Sequence, residues 1–87
     1  MASRHHYLDR IDEMIRQLDE TIETPQGLLR EHLTGARAYL MNSMPDEFNL
    51  QIALARESLH LLEPAALRSQ VDQLLQDLAK SSADAPN

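Results

Sequence analysis

Few residues in this chain are able to do chemistry, and only one pair of them stands at a useful spacing. Glu57 and His60 form an E-x-x-H pair. Residues three apart on a helix project from the same side, so the pair offers a carboxylate and an imidazole to one ion. Two such pairs, joined by two more glutamates on facing helices, build a di-iron carboxylate site. Here the pair occurs once, with no second E-x-x-H in the chain. Its simpler reading is a solvated polar strip, and no metal or cofactor is assigned. His32 is the other candidate, as a metal or haem ligand or a pH-sensitive contact. Its position on a helix flank between Leu28 and Tyr39 equally fits a core-edge histidine held by one ring nitrogen. Glu57, His60 and His32 together define the alternative reading of the chain, a metal- or small-ligand-binding helical bundle. His5 and His6 are adjacent, diverge by about 100° on a helix, and do not readily chelate one ion together.

Catalytic arrangements are hard to assemble from what is left. There is no cysteine, and the only glycines are Gly27 and Gly35, so neither a thiolate nucleophile nor a Gly-rich phosphate loop is available. Ser3, Ser43, Ser58, Ser69, Ser81 and Ser82 have no motif context. Ser43 reads as a helix cap and Ser58 as a surface position. The carboxylates are spread over polar helix faces, which are usually just solvated. A non-enzymatic protein is expected.

The elements that would position these residues are all helical. Leu8, Ile11, Ile15, Leu18 and Ile22 step by three and four from about Ser3 to Glu23, as a buried helix seam does. Asp12 and Arg16 stand at the favourable acid-before-base spacing of four. Thr24-Pro25 restarts the chain, with Thr24 as N-cap and Pro25 in the first helical position. Leu29, Leu33, Ala36 and Leu40 form the seam of a second helix, to about Asn42, with Leu28, His32 and Tyr39 on one flank. Gly35 costs this helix about 1 kcal/mol relative to alanine, which suggests close approach by another helix. Ser43 and Asp46 have capping-box spacing ahead of a third helix, Pro45 to Glu63. Pro64 forces the next break, and Leu67, Val71, Leu74 and Leu78, with Leu75 beside them, mark a fourth helix from Pro64 to Lys80.

The third helix is apolar on two faces. Phe48, Ile52, Ala55, Leu59 and Leu62 fall on one stripe at about 100° per residue, and Leu50, Leu54 and Leu61 fall roughly opposite. A surface helix needs one apolar stripe. A second stripe means either that the helix is central in its own fold or that another chain covers it. In the second case Leu50, Leu54 and Leu61 are the contact residues and Glu57, in line with them, is a rim or register residue. The same helix carries a short resemblance: Ala53 to Pro64 is similar to the second helix of a tetratricopeptide repeat and its closing proline. No Trp-x-x-Leu-Gly-x-x-Tyr pattern precedes it, so no repeat family is assigned.

Bulk properties narrow the function classes. The 87 residues fit one small domain, read as residues 1–80 with a disordered C-terminal tail at 81–87. The net charge of −6 repels nucleic-acid phosphates and anionic membrane surfaces. No apolar run approaches the roughly 20 residues that span a bilayer, and Met1 to His6 lacks a signal-peptide apolar region. A cytoplasmic protein is expected, and the absence of cysteine suits a reducing compartment. Rings are limited to Tyr7, Tyr39 and Phe48, too few for a base-stacking platform. The expectation is therefore an all-α, compact four-helix bundle-like domain with short breaks and with helix three central. It would act as an adaptor, regulator or co-chaperone through an apolar helix face. Its partner is another protein or itself, with a homodimer leading because a domain this small is marginal alone.

Overall fold

Each helix begins or ends where side chains or turns offer the backbone another hydrogen-bond partner. The computed structural model describes residues 4 to 21 and 23 to 84, with side chains through residue 80. It contains α1 (Arg4–Gln17), α2 (Pro25–Met41), α3 (Pro45–Ser58) and α4 (Ala65–Asp84), with a 3-10 turn at Leu59–Leu61 between the last two. No strand occurs among the described residues.

The helix α1 stops at Gln17, well before the expected Glu23. The cause is local. The Asp19 carboxylate accepts hydrogen bonds from both the backbone N–H and the hydroxyl of Thr21, each at 2.9 Å. The Asp19 N–H donates to Gln26 Oε1 at 2.9 Å. These side chains satisfy backbone groups that a continuing helix would have used. The same bonds from Thr21 hold the Asp19 carboxyl below the usual carboxylate range. Leu18 stays buried just past the helix end, and Ile22 lies outside the described residues. Thr24 then caps α2 as expected, its hydroxyl oxygen accepting from the Gly27 N–H at 3.0 Å with Pro25 in the first turn.

The corner between α2 and α3 departs from the expected capping box. The N-cap of α3 is Met44, without a side-chain cap bond. Ser43 instead ends α2. It has a φ of 55°, its N–H donates to Leu40 O at 3.3 Å, and the Met44 N–H donates to Tyr39 O at 2.9 Å. Those two bonds, with a left-handed residue between them, make a Schellman motif. At the other end of α3, Ser58 is half-buried, and its hydroxyl donates to Leu54 O at 3.3 Å, an i−4 bond that tends to bend helices. The helix tightens into the 3-10 turn there, Leu62 is extended, and α4 starts after Pro64. It continues to Asp84, past the expected end at Lys80; residues 85 to 87 lie outside the described ones.

The buried residues come from one face of every helix. They include Leu8, Ile11 and Met14 of α1, Leu29, Leu33 and Ala36 of α2, Phe48, Ile52 and Ala55 of α3, and Val71, Leu74, Leu75 and Leu78 of α4, with Leu62 from the linker. The only stripe of α3 in the core is thus the first one. Its main neighbours are α2 and α4, while α1 meets α2 and α4. The four helices enclose a shared core, and α3 is not its centre. The radius of gyration, 12.1 Å, matches about 12 Å for a compact chain of this length. No polar or charged residue is buried among those described.

Ion pairs bridge the seams. Arg37 of α2 reaches Asp12 of α1 at 2.5 Å, and Arg10 of α1 reaches Asp77 of α4 at 2.7 Å. Asp12 is therefore not the partner of Arg16, which pairs with Glu13 on its own helix. The Arg10 hydrogen bond, aided by Gln73, holds the Asp77 carboxyl below its ordinary value. A carboxyl held low contributes stability above the ordinary carboxylate range and loses it as the pH falls through the depressed value.

Two predictions follow from these local structures. Ser43→Gly removes the steric cost of a left-handed non-glycine residue and is expected to stabilise the fold by about 1 kcal/mol, read from the urea midpoint. Asp77→Asn is expected to lower stability at neutral pH. The gap to wild type should then close on acidification below about pH 4; a gap that does not change with pH would remove the Arg10 pair from the stability of the α1–α4 seam.

Candidate functional site

The antiparallel pair of α2 and α3 positions most of the residues singled out in the sequence. Gln51 of α3 accepts from His32 Nδ1 of α2 at 3.0 Å. Gln26 Nε2, near the start of α2, donates to the Glu63 carbonyl at 3.0 Å. Position 32 lies opposite 51 and position 26 opposite 63, so the two segments run in opposite directions. Gly35 sits under the same Gln51 side chain. A Cβ built there would lie 3.3 Å from Gln51 Cδ, so the glycine marks a close approach by another helix, as its cost to α2 suggests. His32 is half-buried, with one ring nitrogen in that bond. It reads as a core-edge histidine that registers α3 on α2.

This registration sets the rotation of α3. With Phe48, Ile52 and Ala55 turned into the core, the second stripe faces outward. Leu50 is 57% exposed and Leu61 56% exposed, while Leu54 is half-buried and Glu57 exposed. The chain therefore does not bury both stripes of its third helix. Leu61 lies in the 3-10 turn, where residues three apart eclipse.

The structure adds apolar residues that the sequence seams had placed inside or in links. Leu28 is 38% exposed, and Met44, at the start of α3, is 39% exposed. The antiparallel register sets Leu28 level with the last turn of α3. Its place on the α2 flank with His32 and Tyr39 was the available signal; that the flank's first residue lies beyond the shelter of α3 depends on where α3 ends. Met41 is also exposed, with its sulfur 3.0 Å from Arg37 Nη1.

Other candidates do not converge on a chemical site. His60 lies in the 3-10 turn and Glu57 in α3, and both are exposed. Among the described residues no three histidine, aspartate or glutamate side chains gather where they could hold a metal ion. An open groove of about 500 Å³ runs between α1 and α4 over Met14 and Leu74. On its rim Arg10 and Gln73 bond Asp77 and Glu13 bonds Arg16, with Gln17, Ser69 and Gln70 completing the lining.

Fold and site together define an all-α, four-helix bundle-like domain with an uncovered apolar face on its third helix. Compared with protein-family models, curated proteins and solved structures, the chain matches none. Among the described residues no helix is long and apolar enough to cross a membrane.

The Gly35–Gln51 contact makes a non-additive prediction. Gly35→Ala gains about 1 kcal/mol of helix propensity but displaces Gln51 from a bond to His32 that is worth about 1 kcal/mol. The substitution should be near neutral alone and stabilising by about 1 kcal/mol in a Gln51→Ala background. Equal effects in both backgrounds, measured by chemical denaturation, would disprove the coupling.

Proposed function

We propose that this chain is a small, non-enzymatic, cytoplasmic interaction protein of the adaptor, regulator or co-chaperone type, whose contact surface is the outward face of α3 and the turn after it. Leu50, Leu54 and Leu61 provide the apolar contact and Glu57 its rim. The observation that carries the reading is the exposure of Leu50 and Leu61, 57% and 56%, on one strip of a domain whose other helices bury their leucine seams. Scattered exposed apolar residues are ordinary on protein surfaces. Leucines recurring along one helix face are a pattern that suits a contact site for another helix. The occupant is a second copy of the chain or the helix of another protein.

The exposure values choose the variant. Leu54 is half-buried, so Leu54→Glu would weaken association but also strain the fold. Leu50→Ser combined with Leu61→Ser removes the exposed part of the strip and should keep fold stability within about 0.5 kcal/mol of wild type. Association should be lost in the double variant, read by light scattering across a dilution series for a second copy and by binding of helical partners to the immobilised chain for another protein. Association that is unchanged in a folded double variant would remove this face from the protein's function.

A further inference from the structure

We infer that the face of α3 takes the apolar side of a basic amphipathic helix from a different protein. This rests on the proposed contact role of Leu50 and Leu61 and adds the chemistry of the occupant.

The charges around the strip carry the argument. Asp46 and Glu47 stand one turn before Leu50, and Glu57 stands three residues after Leu54, so all three flank the leucines by helical spacing. All three are exposed. Among the described residues the ion pairs are Arg10–Asp77, Arg16–Glu13, Arg30–Glu20 and Arg37–Asp12, and none of them uses an acid of α3. In α1, Asp12 is held by Arg37 across the seam and Glu13 by Arg16 on the helix surface, while Asp9 is exposed but has no exposed leucine strip beside it. The acids of α3 flank such a strip.

Helix stability explains only part of that rim. Asp46 and Glu47 lie in the first turn of α3, where acids complement the helix dipole. Glu57 is next to the last residue of α3, where the dipole favours a cation and disfavours a carboxylate. An exposed acid there adds nothing to its own helix, which leaves it available to a partner. A second copy would bring the same acids against these and add the repulsion of two chains of net charge −6. A helix with leucines on one side and lysines or arginines flanking them meets both the apolar strip and the rim. The same rim opposes docking on an anionic lipid surface.

The test uses three synthetic helical peptides with one leucine face and rims of lysine, glutamine or glutamate, titrated against the full chain by fluorescence anisotropy. The lysine-rimmed peptide should bind about tenfold tighter than the glutamine-rimmed one at low salt. The glutamate-rimmed peptide should bind weakest, and the preference should shrink as salt is added. Glu57→Gln should reduce the lysine preference severalfold while leaving the thermal midpoint unchanged or raised. Leu50→Ser with Leu61→Ser should abolish binding of the lysine and glutamine peptides alike. Equal binding of those two peptides, lost in the leucine variant, would overturn the basic partner and keep the contact face. A dimer mass that the leucine variant dissociates would do the same, with a second copy as the occupant. Lysine-peptide binding that survives the leucine variant would overturn the inference as simple charge attraction.

Discussion

Gln51 reaches from α3 over the bare backbone of Gly35 on α2 and there accepts a hydrogen bond from the His32 ring. The contact fixes two quantities at once. The missing Cβ sets how closely the helices approach, and the hydrogen bond sets how α3 is turned about its own axis. With that rotation fixed, Phe48, Ile52 and Ala55 enter the core with Leu33 and Ala36 of α2. Leu50, on the far side of the same helix, has nowhere inside to go. The position of α4 follows, because the chain reaches it through Leu62, a buried residue that anchors the linker between the 3-10 turn and Pro64.

The corners keep this pairing short and rigid. The Schellman motif at Ser43 reverses the chain within a few residues, so α2 and α3 must lie side by side. At the other end, Gln26 ties the first turn of α2 to the Glu63 carbonyl and closes the long edge of the pair. The seams of α1 are closed differently, by the half-exposed pairs Arg37–Asp12 and Arg10–Asp77. Partly exposed ion pairs contribute modestly to stability. The core itself is aliphatic, with Phe48 its one fully buried ring. Among the described residues no polar or charged residue is buried as a whole, so the core is held by apolar packing and not by a hydrogen-bond network.

Much of this was legible in the sequence. The spacing of Leu29, Leu33 and Ala36, or of Val71, Leu74 and Leu78, gives helices and their inward faces because burial follows the 3.6-residue period. Thr24-Pro25 reads correctly because cap and proline act within one turn. What was not legible depends on contacts that cross the chain or compete locally. Asp19 ended α1 early by bonding Thr21, a choice between two uses of the same backbone that periodicity does not decide. Ser43 looks like an N-cap by spacing and is a left-handed C-terminal residue by geometry. A serine serves either role, and the helix before it claims it first. The double stripe of α3 was visible from the leucine pattern; whether its second half lay inside or outside depended on Gln51, Gly35 and His32, three residues whose meeting no local rule predicts.

That outward stripe sets the energetics of the domain. A chain of this length typically has a stability of roughly 4 to 13 kcal/mol, and one exposed leucine withholds about 1.5 to 3 kcal/mol that burial would have added. Leu50 and Leu61 are more than half exposed and contribute little to folding. In the proposed contact they supply the apolar area and the acidic rim selects the partner. Arg56 supports the C-terminus of α3 as a cation should, yet the next residue is Glu57, which opposes it. A helix selected for stability alone would carry a base or an amide there. In the proposed reading, the pairing of two exposed leucines with an acid near the C-terminal end of α3 is a departure from fold stability that a contact face accounts for.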